Sequence, residues 1–366
     1  MSKPLRAELR PSDVGVIRET LLALWASEAL SDEAVIRAQT YNLIVYAAND
    51  EHPVDQTVER IIEFTSHRPG RVILIEYDST HRAKTQAWAT VYCHPRGSRQ
   101  LCAELVVLEV GDDLRDEIHS TVVSLLAPDL PIYLWWAEPP DPGDHLFSRL
   151  VGEVDRLIVD SDAFPNPVEG LKRLATLSGV PLGDLAWARL TPWRRLLAQL
   201  WDVPDLRPAL DHIHTLEVRH AASGEFQDCA RALLLLGWLA DRLDWELQPA
   251  QRAPDGGFTI AWARQRWQGK AGIGATQEEG ITPGEIASIT IQAGDNPPYI
   301  MPSLRYEATR GLAEVRLDSA TPTAPRRVSL FEPVSIPAAL AEELDFRYDP
   351  YYGQALRCAA RVVAAF

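Results

Sequence analysis

Two cysteines provide the first candidate chemistry in this sequence. Cys93 and Cys102 flank the turn-forming stretch Pro95-Arg96-Gly97-Ser98, and a symmetric hairpin centred on that turn would place them opposite each other. A non-hydrogen-bonded antiparallel pair would bring the two sulfurs near bonding distance. We therefore treat Cys93 and Cys102 as candidate redox thiols. The alternative, two small buried hydrophobic residues, stays open because a one-residue slip in register would separate them.

Three histidines raise the question of a metal site. His212, His214 and His220 are separated by even numbers of residues, so a straight strand would put all three on one face. A His-x-His pair can begin a metal site, but such a site also needs further converging ligands and an outer shell that orients them. We favour partly exposed strand histidines and expect no metal ion.

Two adjacent tryptophans end a predicted strand. Trp135 and Trp136 precede the rigid acidic loop 138–142, and in a strand their rings point to opposite faces. Partners dock at the carboxyl ends of strands in α/β sheets, and tryptophan is enriched in interface hot spots. We take Trp135, Trp136 and Asp141 as a candidate partner interface. Packing of both rings beneath flanking helices is the slightly favoured alternative.

The common catalytic signatures are missing from the sequence. Lys270 follows Gly269 but precedes Ala271, so there is no phosphate-binding Gly-Lys-Ser/Thr loop. The Gly272-Ile273-Gly274 stretch has Gln277 where a dinucleotide fingerprint needs a third glycine. Neither a Gly-x-Ser-x-Gly elbow nor a His-Glu-x-x-His motif occurs. We therefore predict that the chain is not an enzyme and has no cofactor.

The first half of the chain alternates strands and helices. Buried-type strands at 41–46 and 71–77 enclose a helical pattern at 53–67, which is a βαβ unit. A hairpin with strands near 84–94 and 99–110 follows, and further strands are predicted at 131–136 and 157–159. This alternation predicts an α/β domain with a mixed sheet and helices on its faces.

The second half has strands that follow one another directly. A strand at 212–220 and an apolar helix at 226–243 precede strands at 257–268, 285–293, 300–309, 312–318 and 326–331. Short connections between consecutive strands predict a mostly antiparallel sheet in an α+β domain. Two helices, at 337–344 and 351–365, follow. We place the domains at 1–185 and 186–366.

Composition excludes several classes of protein. The 366 residues are 46% hydrophobic and 24% charged, which is typical of a folded chain and excludes disordered and collagen-like classes. The 36 basic and 51 acidic residues give a net charge of −15, which disfavours nucleic-acid and membrane-surface binding. With no visible signal peptide and few cysteines, we expect a cytoplasmic protein.

Several segments resemble one known family when they are taken in order. The stretches at 42–46, 71–73, 130–136 and 155–161, together with the run Asp184 to Arg194, are similar to the glucose-6-phosphate dehydrogenase assembly proteins, the OpcA family. The turn His67-Arg68-Pro69-Gly70-Arg71 departs from the His-Pro-Ser-Arg expected there. If that turn touches the partner, its contacts differ in detail from those of the family.

The resemblance implies a non-catalytic protein. Such a protein would bind glucose-6-phosphate dehydrogenase, promote its active oligomer and raise its activity as an allosteric activator. In some photosynthetic members of the family this activation is linked to redox state, which adds interest to the cysteine pair.

One alternative function comes from a different class. The chain could be a sensor or enzyme that binds a sugar phosphate, with Arg68, Arg71 and the strand end Asp160-Ser161 as polar contacts. The negative net charge and the absence of a glycine-rich phosphate cradle count against this function.

Overall fold

The computed structural model describes residues 13–28, 34–37, 39–48, 54–97, 99–222, 229–294, 300–318, 326–345 and 348–366. The chain divides into two compact units. Unit 1 consists of Met1–Asp160, Ser178–Asp184 and Ser335–Tyr348. Unit 2 consists of Ser161–Leu177, Leu185–Val334 and Asp349–Phe366. Among the described residues, no helix has both the length and the apolar character needed to cross a membrane.

The helices and strands of the described residues are numbered along the chain. The helices are α1 (Val14–Glu28), α2 (Val54–His67), α3 (Asp112–Arg115), α4 (Ile118–Leu125), α5 (His145–Val151), α6 (Pro167–Thr176), α7 (Leu185–Arg189), α8 (Thr191–Trp201), α9 (Ala230–Arg242), α10 (Ile336–Asp345) and α11 (Pro350–Val362). The strands of unit 1 are β1 (Ala34–Arg37), β2 (Asn42–Ala48), β3 (Arg71–Tyr77), β4 (Thr85–Arg96), β5 (Arg99–Val110), β6 (Ile132–Trp136), β7 (Arg156–Val159) and β8 (Leu182–Asp184).

The sheet of unit 1 is parallel except at its hairpin. Its strand order is β1-β5-β3-β2-β6-β7-β8, and β4 pairs with β5 in the antiparallel sense. From β5 to β8 the order is that of a doubly wound dinucleotide-binding sheet. Leu43, Ile44 and Val45 are consecutive and fully buried, as expected for a parallel strand covered on both faces. The mixed α/β fold predicted for this half is confirmed.

Unit 2 is built on a second sheet. Its remaining strands are β9 (Ile213–Ala221), β10 (Glu246–Leu247), β11 (Gln251–Arg252), β12 (Phe258–Arg264), β13 (Trp267–Thr276), β14 (Ile286–Ala293), β15 (Met301–Glu307), β16 (Leu312–Asp318) and β17 (Arg326–Leu330). The order is β10-β12-β13-β9-β14-β15-β16-β17, with β11 beside β12. Only the β13–β9 ladder is parallel among those described, so the predicted, mostly antiparallel α+β arrangement is confirmed.

The two units exchange helices across the predicted domain boundary. Helix α6 precedes residue 185 but belongs to unit 2, where Lys172 Nζ donates a hydrogen bond to the Phe366 carbonyl oxygen at 2.7 Å. Helix α10 follows residue 186 but belongs to unit 1. There the Arg156 guanidinium pairs with the Glu343 carboxylate, and both side chains are buried. A single cut at 185/186 therefore does not describe the compact units, because contacts between sequence-distant residues place both helices.

Replacing Glu343 by Gln tests how strongly α10 depends on this pair. The Arg156 side chain is 1% exposed, so replacing the carboxylate removes a charged partner from a buried guanidinium. We expect Glu343→Gln to lower the free energy of unfolding by about 3–5 kcal/mol in urea titrations.

The matched control for Glu343→Gln is Asp345→Asn on the same helix. This variant breaks the ion pair between Asp345 and Arg68, whose side chains are 47% and 39% exposed, respectively. We expect it to lower the free energy of unfolding by less than about 1 kcal/mol. Equal losses for the two variants would contradict a role for the buried pair in anchoring α10.

Candidate functional site

The sheet of unit 1 has a topological switch point between β2 and β6. Strands β3 and β5 lie on one side of β2, and β6, β7 and β8 lie on the other. In doubly wound sheets, ligands bind outside the carboxyl ends of the two strands at this point. A ligand-binding site in this sheet would therefore lie beyond Ala48, where β2 ends, and Trp136, where β6 ends.

The sequence after β2 lacks the residues that would hold a pyrophosphate. The dinucleotide fingerprint places three glycines between the first strand and its helix. Here the connection reads Asn49-Asp50-Glu51-His52-Pro53, and no glycine occurs between Gly15 and Gly70. Glycines are needed there because a Cβ atom would block the approach of the backbone to the phosphates. A dinucleotide would therefore lack its usual backbone cradle.

Aromatic side chains occupy this edge of the sheet. The rings of Tyr46 on β2 and Trp136 on β6 stack with their centroids 3.8 Å apart, and each residue is 2% exposed. Phe147 from α5 packs edge-on against Trp136 at 5.0 Å, and Tyr77 at the end of β3 lies 6.3 Å from Tyr46. Burying rings of this size contributes strongly to stability. The carboxyl edge is thus filled by the chain's own side chains.

Arg115 links these rings to an ion pair. The Arg115 guanidinium lies 5.3 Å and 5.1 Å from the ring centroids of Tyr46 and Tyr77. Its Nε donates a hydrogen bond to the Tyr46 hydroxyl at 3.0 Å, and its two terminal nitrogens bind both carboxylate oxygens of Asp144. Asp144 also caps α5 by accepting a hydrogen bond from the Phe147 N–H at 2.9 Å. We call Tyr46, Tyr77, Arg115, Trp136 and Asp144 the aromatic–arginine cluster.

The charges in the aromatic–arginine cluster hold each other ionised. Burial alone would raise the pKa of Asp144, but hydrogen bonds from Arg115 and from the Phe147 N–H lower it. Burial would likewise lower the pKa of Arg115, but the hydrogen bond to Asp144 raises it. Burial also raises the pKa of Tyr46 well above its usual value. None of these three groups is poised to transfer a proton near neutral pH, so the cluster is suited to packing rather than acid–base catalysis.

The structure places both candidate interface tryptophans in the core. Trp135 and Trp136 are 4% and 2% exposed, and their successive positions on β6 direct them to opposite, covered faces of a parallel sheet. Burial leaves neither ring on the surface, so the core interpretation is favoured over the partner interface for both. Asp141 is exposed in the loop after β6, where its Oδ1 accepts a hydrogen bond from the Gly143 N–H at 2.9 Å.

The hairpin brings the two candidate redox thiols together. Cys93 on β4 lies directly opposite Cys102 on β5, and a disulfide joins them. The predicted register is therefore the observed one. The disulfide packs against Leu24 and Trp25 of α1 and Val91 of β4. Whether these thiols act in redox regulation stays a prediction.

The three histidines do not share a face. His212 ends a 3₁₀ turn before β9. The ladder with β14 skips from Thr215 to Ile213, so His214 is a bulged residue that reverses the alternation. His214 Nε2 donates a hydrogen bond to the Gly294 carbonyl oxygen at 2.7 Å, and His220 is fully buried. Within the part of the chain that the structure describes, no three metal-ligating side chains cluster.

A lysine on the other face of the unit 1 sheet collects three carboxylates that the sequence analysis missed. Lys84 Nζ lies 3.6 Å from Glu76, 3.3 Å from Asp78 and 3.2 Å from Glu109. Burial, and then the charge of Glu109, raises the pKa of Glu76 to about 7. Hydrogen bonds led by the Thr80 hydroxyl hold the pKa of Asp78 well below its usual value. The sequence does contain a signal for this cluster, because Glu76 and Glu109 are charged residues inside the mostly apolar strands β3 and β5.

Comparisons with known proteins cover most of the chain. Residues 62–176 match the model described as "Glucose-6-phosphate dehydrogenase subunit N-terminal domain", and residues 180–356 match the corresponding C-terminal domain. The OxPP cycle protein OpcA of Synechocystis sp. is 34% identical over 182 residues, which cover 48% of this chain and 38% of that protein. The protein of the same name from Nostoc punctiforme is 35% identical over 189 residues, covering 50% and 40%. The match thus spans less than half the length of these curated relatives.

A likeness to solved structures concerns the fold alone. Levoglucosan dehydrogenase, in complex with NADH and L-sorbose, superposes with a TM-score of 0.50 at 11% sequence identity. The match covers 89% of this chain and 96% of the dehydrogenase chain. It agrees with the doubly wound strand order of unit 1 and carries no information about activity.

Substitution of Glu76 tests the lysine-centred cluster through its pH dependence. The folded state binds the Glu76 proton more tightly than the unfolded state, so this residue contributes stability below its ordinary pKa of 4.5. That contribution is lost as the pH rises through about 7. We expect wild type to lose more stability than Glu76→Gln between pH 5 and pH 8, by up to roughly 3 kcal/mol.

Urea titrations at the two pH values measure the difference. The control is Glu59→Gln, which removes an exposed carboxylate on α2 and should leave the pH dependence of wild type unchanged. Parallel pH profiles for wild type and Glu76→Gln would show that Glu76 titrates normally in the folded protein.

Proposed function

Because this chain belongs to the OpcA family of glucose-6-phosphate dehydrogenase assembly proteins, we propose that it binds that dehydrogenase and promotes its active oligomer. In this role it supports the oxidative pentose phosphate pathway from the cytoplasm. The observation that carries the proposal is the match of two family models, in order, to residues 62–176 and 180–356. The relatives named for the OxPP cycle give independent support.

The chain acts without catalysing a reaction of its own. The aromatic–arginine cluster supports this part of the proposal, because Tyr46 and Trp136 fill the edge where a dinucleotide would lie. The connection after β2 has no glycine to admit a pyrophosphate. The oxidation chemistry therefore belongs to the partner enzyme.

Activation follows from preferential binding to one state of the partner. A protein ligand shifts an oligomerisation equilibrium only by binding the active form more tightly than the inactive form. A tenfold increase in the active population requires about 1.4 kcal/mol of differential binding free energy. A standard interface of about 1,600 Å² easily supplies such a difference.

The sugar-phosphate function is less well supported by the described contacts. Arg71 Nε donates to Glu104 at 2.6 Å and its Nη1 donates to the Leu125 carbonyl oxygen at 2.7 Å, while Arg68 pairs with Asp345. Both guanidinium groups already bind carboxylates, so a phosphate would have to displace them. Ser161 is fully buried. This alternative predicts that glucose 6-phosphate alone raises the melting temperature of the chain.

The disulfide suggests how activation could respond to redox state. Stable disulfides are rare in the reducing cytosol, and those that occur there are usually catalytic or redox-sensing. The Cys93–Cys102 bond joins strands β4 and β5 near the exposed tip of their hairpin. Cys102 is fully buried and packs against Trp25. We propose that a dithiol reductant opens this bond and changes binding to the dehydrogenase.

The direct test is a titration of dehydrogenase activity at limiting glucose 6-phosphate. We expect saturable activation by this chain together with co-elution of the two proteins in size-exclusion chromatography. A flat titration with an active enzyme would overturn the proposed function. A rise in melting temperature with glucose 6-phosphate alone would favour the sensor instead.

A second arm of the titration examines the cysteine pair. With a dithiol reductant we expect the activation by wild type to change, and the activation by Cys93→Ser/Cys102→Ser to be insensitive. Cys358→Ser, which removes a half-buried free thiol, is the control and should respond like wild type. An identical response of the double variant and wild type would assign any redox effect to the dehydrogenase.

A further inference from the structure

Basic side chains, three of them arginines, are concentrated at the tip of the β4–β5 hairpin and the adjacent end of α2. The residues are His67, Arg68, His94, Arg96 and Arg99, and we call them the basic patch. All belong to unit 1, and none takes part in the aromatic–arginine cluster. The chain as a whole carries a net charge of −15. A local concentration of the opposite sign therefore forms a distinct feature in its electrostatic field.

Two arginines face each other at the hairpin tip. Arg96 and Arg99 are directly paired in the antiparallel ladder, and both are exposed. Like charges directly opposite each other on a sheet are destabilising. The direct contact between these two arginines therefore does not itself favour the fold.

Contacts with the end of α2 join the two parts of the basic patch. The Arg96 guanidinium donates a hydrogen bond to the Ser66 carbonyl oxygen at 3.3 Å, and Ser66 Oγ lies 2.9 Å from His67 Nδ1. Burial, followed by the charges of His67 and Arg96, lowers the pKa of His94. Arg68, next along the chain, is partly offset by Asp345.

The disulfide fixes the spacing of the exposed arginines. Cys93 and Cys102 each lie three residues from Arg96 and Arg99, respectively, on the same two strands. A covalent link at this point limits slippage of the hairpin register. The tip therefore presents its guanidinium groups in a defined arrangement, which favours recognition of a specific surface.

From this geometry we infer that the basic patch binds an acidic segment of the partner protein. The inference rests on the proposed function, which makes that partner the dehydrogenase. Arginine guanidinium groups bind carboxylates through paired hydrogen bonds, so an acidic protein segment matches exposed arginines well. Complementary charge across an interface mainly accelerates association and makes it sensitive to salt.

Charge reversal at the hairpin tip tests the inference. Arg96→Glu leaves a favourable cross-strand pair with Arg99, so its fold is protected, while Arg96→Glu/Arg99→Glu reverses the sign of the tip. We expect the dissociation constant for the dehydrogenase to rise several-fold for the single variant and at least about tenfold for the double variant. The control is Arg82→Glu, at the opposite end of the hairpin, where the arginine side chain is 73% exposed.

Binding is measured with the 366-residue chain and the intact dehydrogenase at low and high salt. A graded loss in the two tip variants that shrinks at high salt, with wild-type binding by Arg82→Glu, is the expected result. Wild-type binding by the double variant would overturn the inference and leave the proposed function standing. Equal losses in Arg82→Glu would also overturn it, because net charge alone would then explain them. Absence of binding by wild type would overturn both the proposed function and the inference that rests on it.

Discussion

A partly buried guanidinium at the carboxyl edge of a parallel sheet determines the character of unit 1. Arg115 is 18% exposed, and a counterion offsets the cost of removing most of its charged group from water. Asp144 provides it, and the same carboxylate caps α5. The pair links α3, which follows β5, to the start of α5, which follows β6, and the stacked rings of Tyr46 and Trp136 pack beside it. At the edge that this strand order leaves open for ligands in other proteins, Tyr46 and Trp136 are here buried core residues.

Because Tyr46 and Trp136 occupy the carboxyl edge of the unit 1 sheet, a partner would be recognised by exposed residues elsewhere on this unit. A doubly wound sheet whose switch point is occupied by its own side chains can still be stably folded, but it lacks the crevice in which such sheets usually bind ligands. Among the described residues, the exposed features of unit 1 include the basic patch beside the Cys93–Cys102 bond, in a chain of net charge −15. The patch and the net charge suit a protein that recognises another protein, and the family matches across both halves of the chain agree with such a role.

Local pattern was sufficient for most of the long strands and the β4–β5 hairpin, because neighbouring residues encode buried strands and turns. The apolar run at 71–77 and the turn at 95–98 therefore predicted β3 and the Cys93–Cys102 register correctly. Local pattern merged β12 and the start of β13 into one strand at 257–268 and missed the short strands β1, β8, β10 and β11. Features set by distant residues could not be predicted in the same way. Helix α10 belongs to unit 1 because Glu343 pairs with Arg156, which lies 187 residues earlier in the sequence. The bulge at His214 interrupts the alternation of faces along β9, so counting positions could not place His214 and His220 correctly. The burial of Trp135 and Trp136 depends on what covers each face of the sheet.

Side chains of this protein occupy the crevice in which this strand order usually binds a dinucleotide. Calorimetric titration of the isolated chain with NAD⁺ and NADP⁺, with the dehydrogenase as the positive control, measures whether that crevice is closed. We expect no saturable heat up to about 1 mM nucleotide, a dissociation constant that corresponds to roughly 4 kcal/mol of binding free energy. Saturable micromolar binding that changes when Tyr46 or Arg115 is substituted would show that the crevice opens and would contradict this expectation.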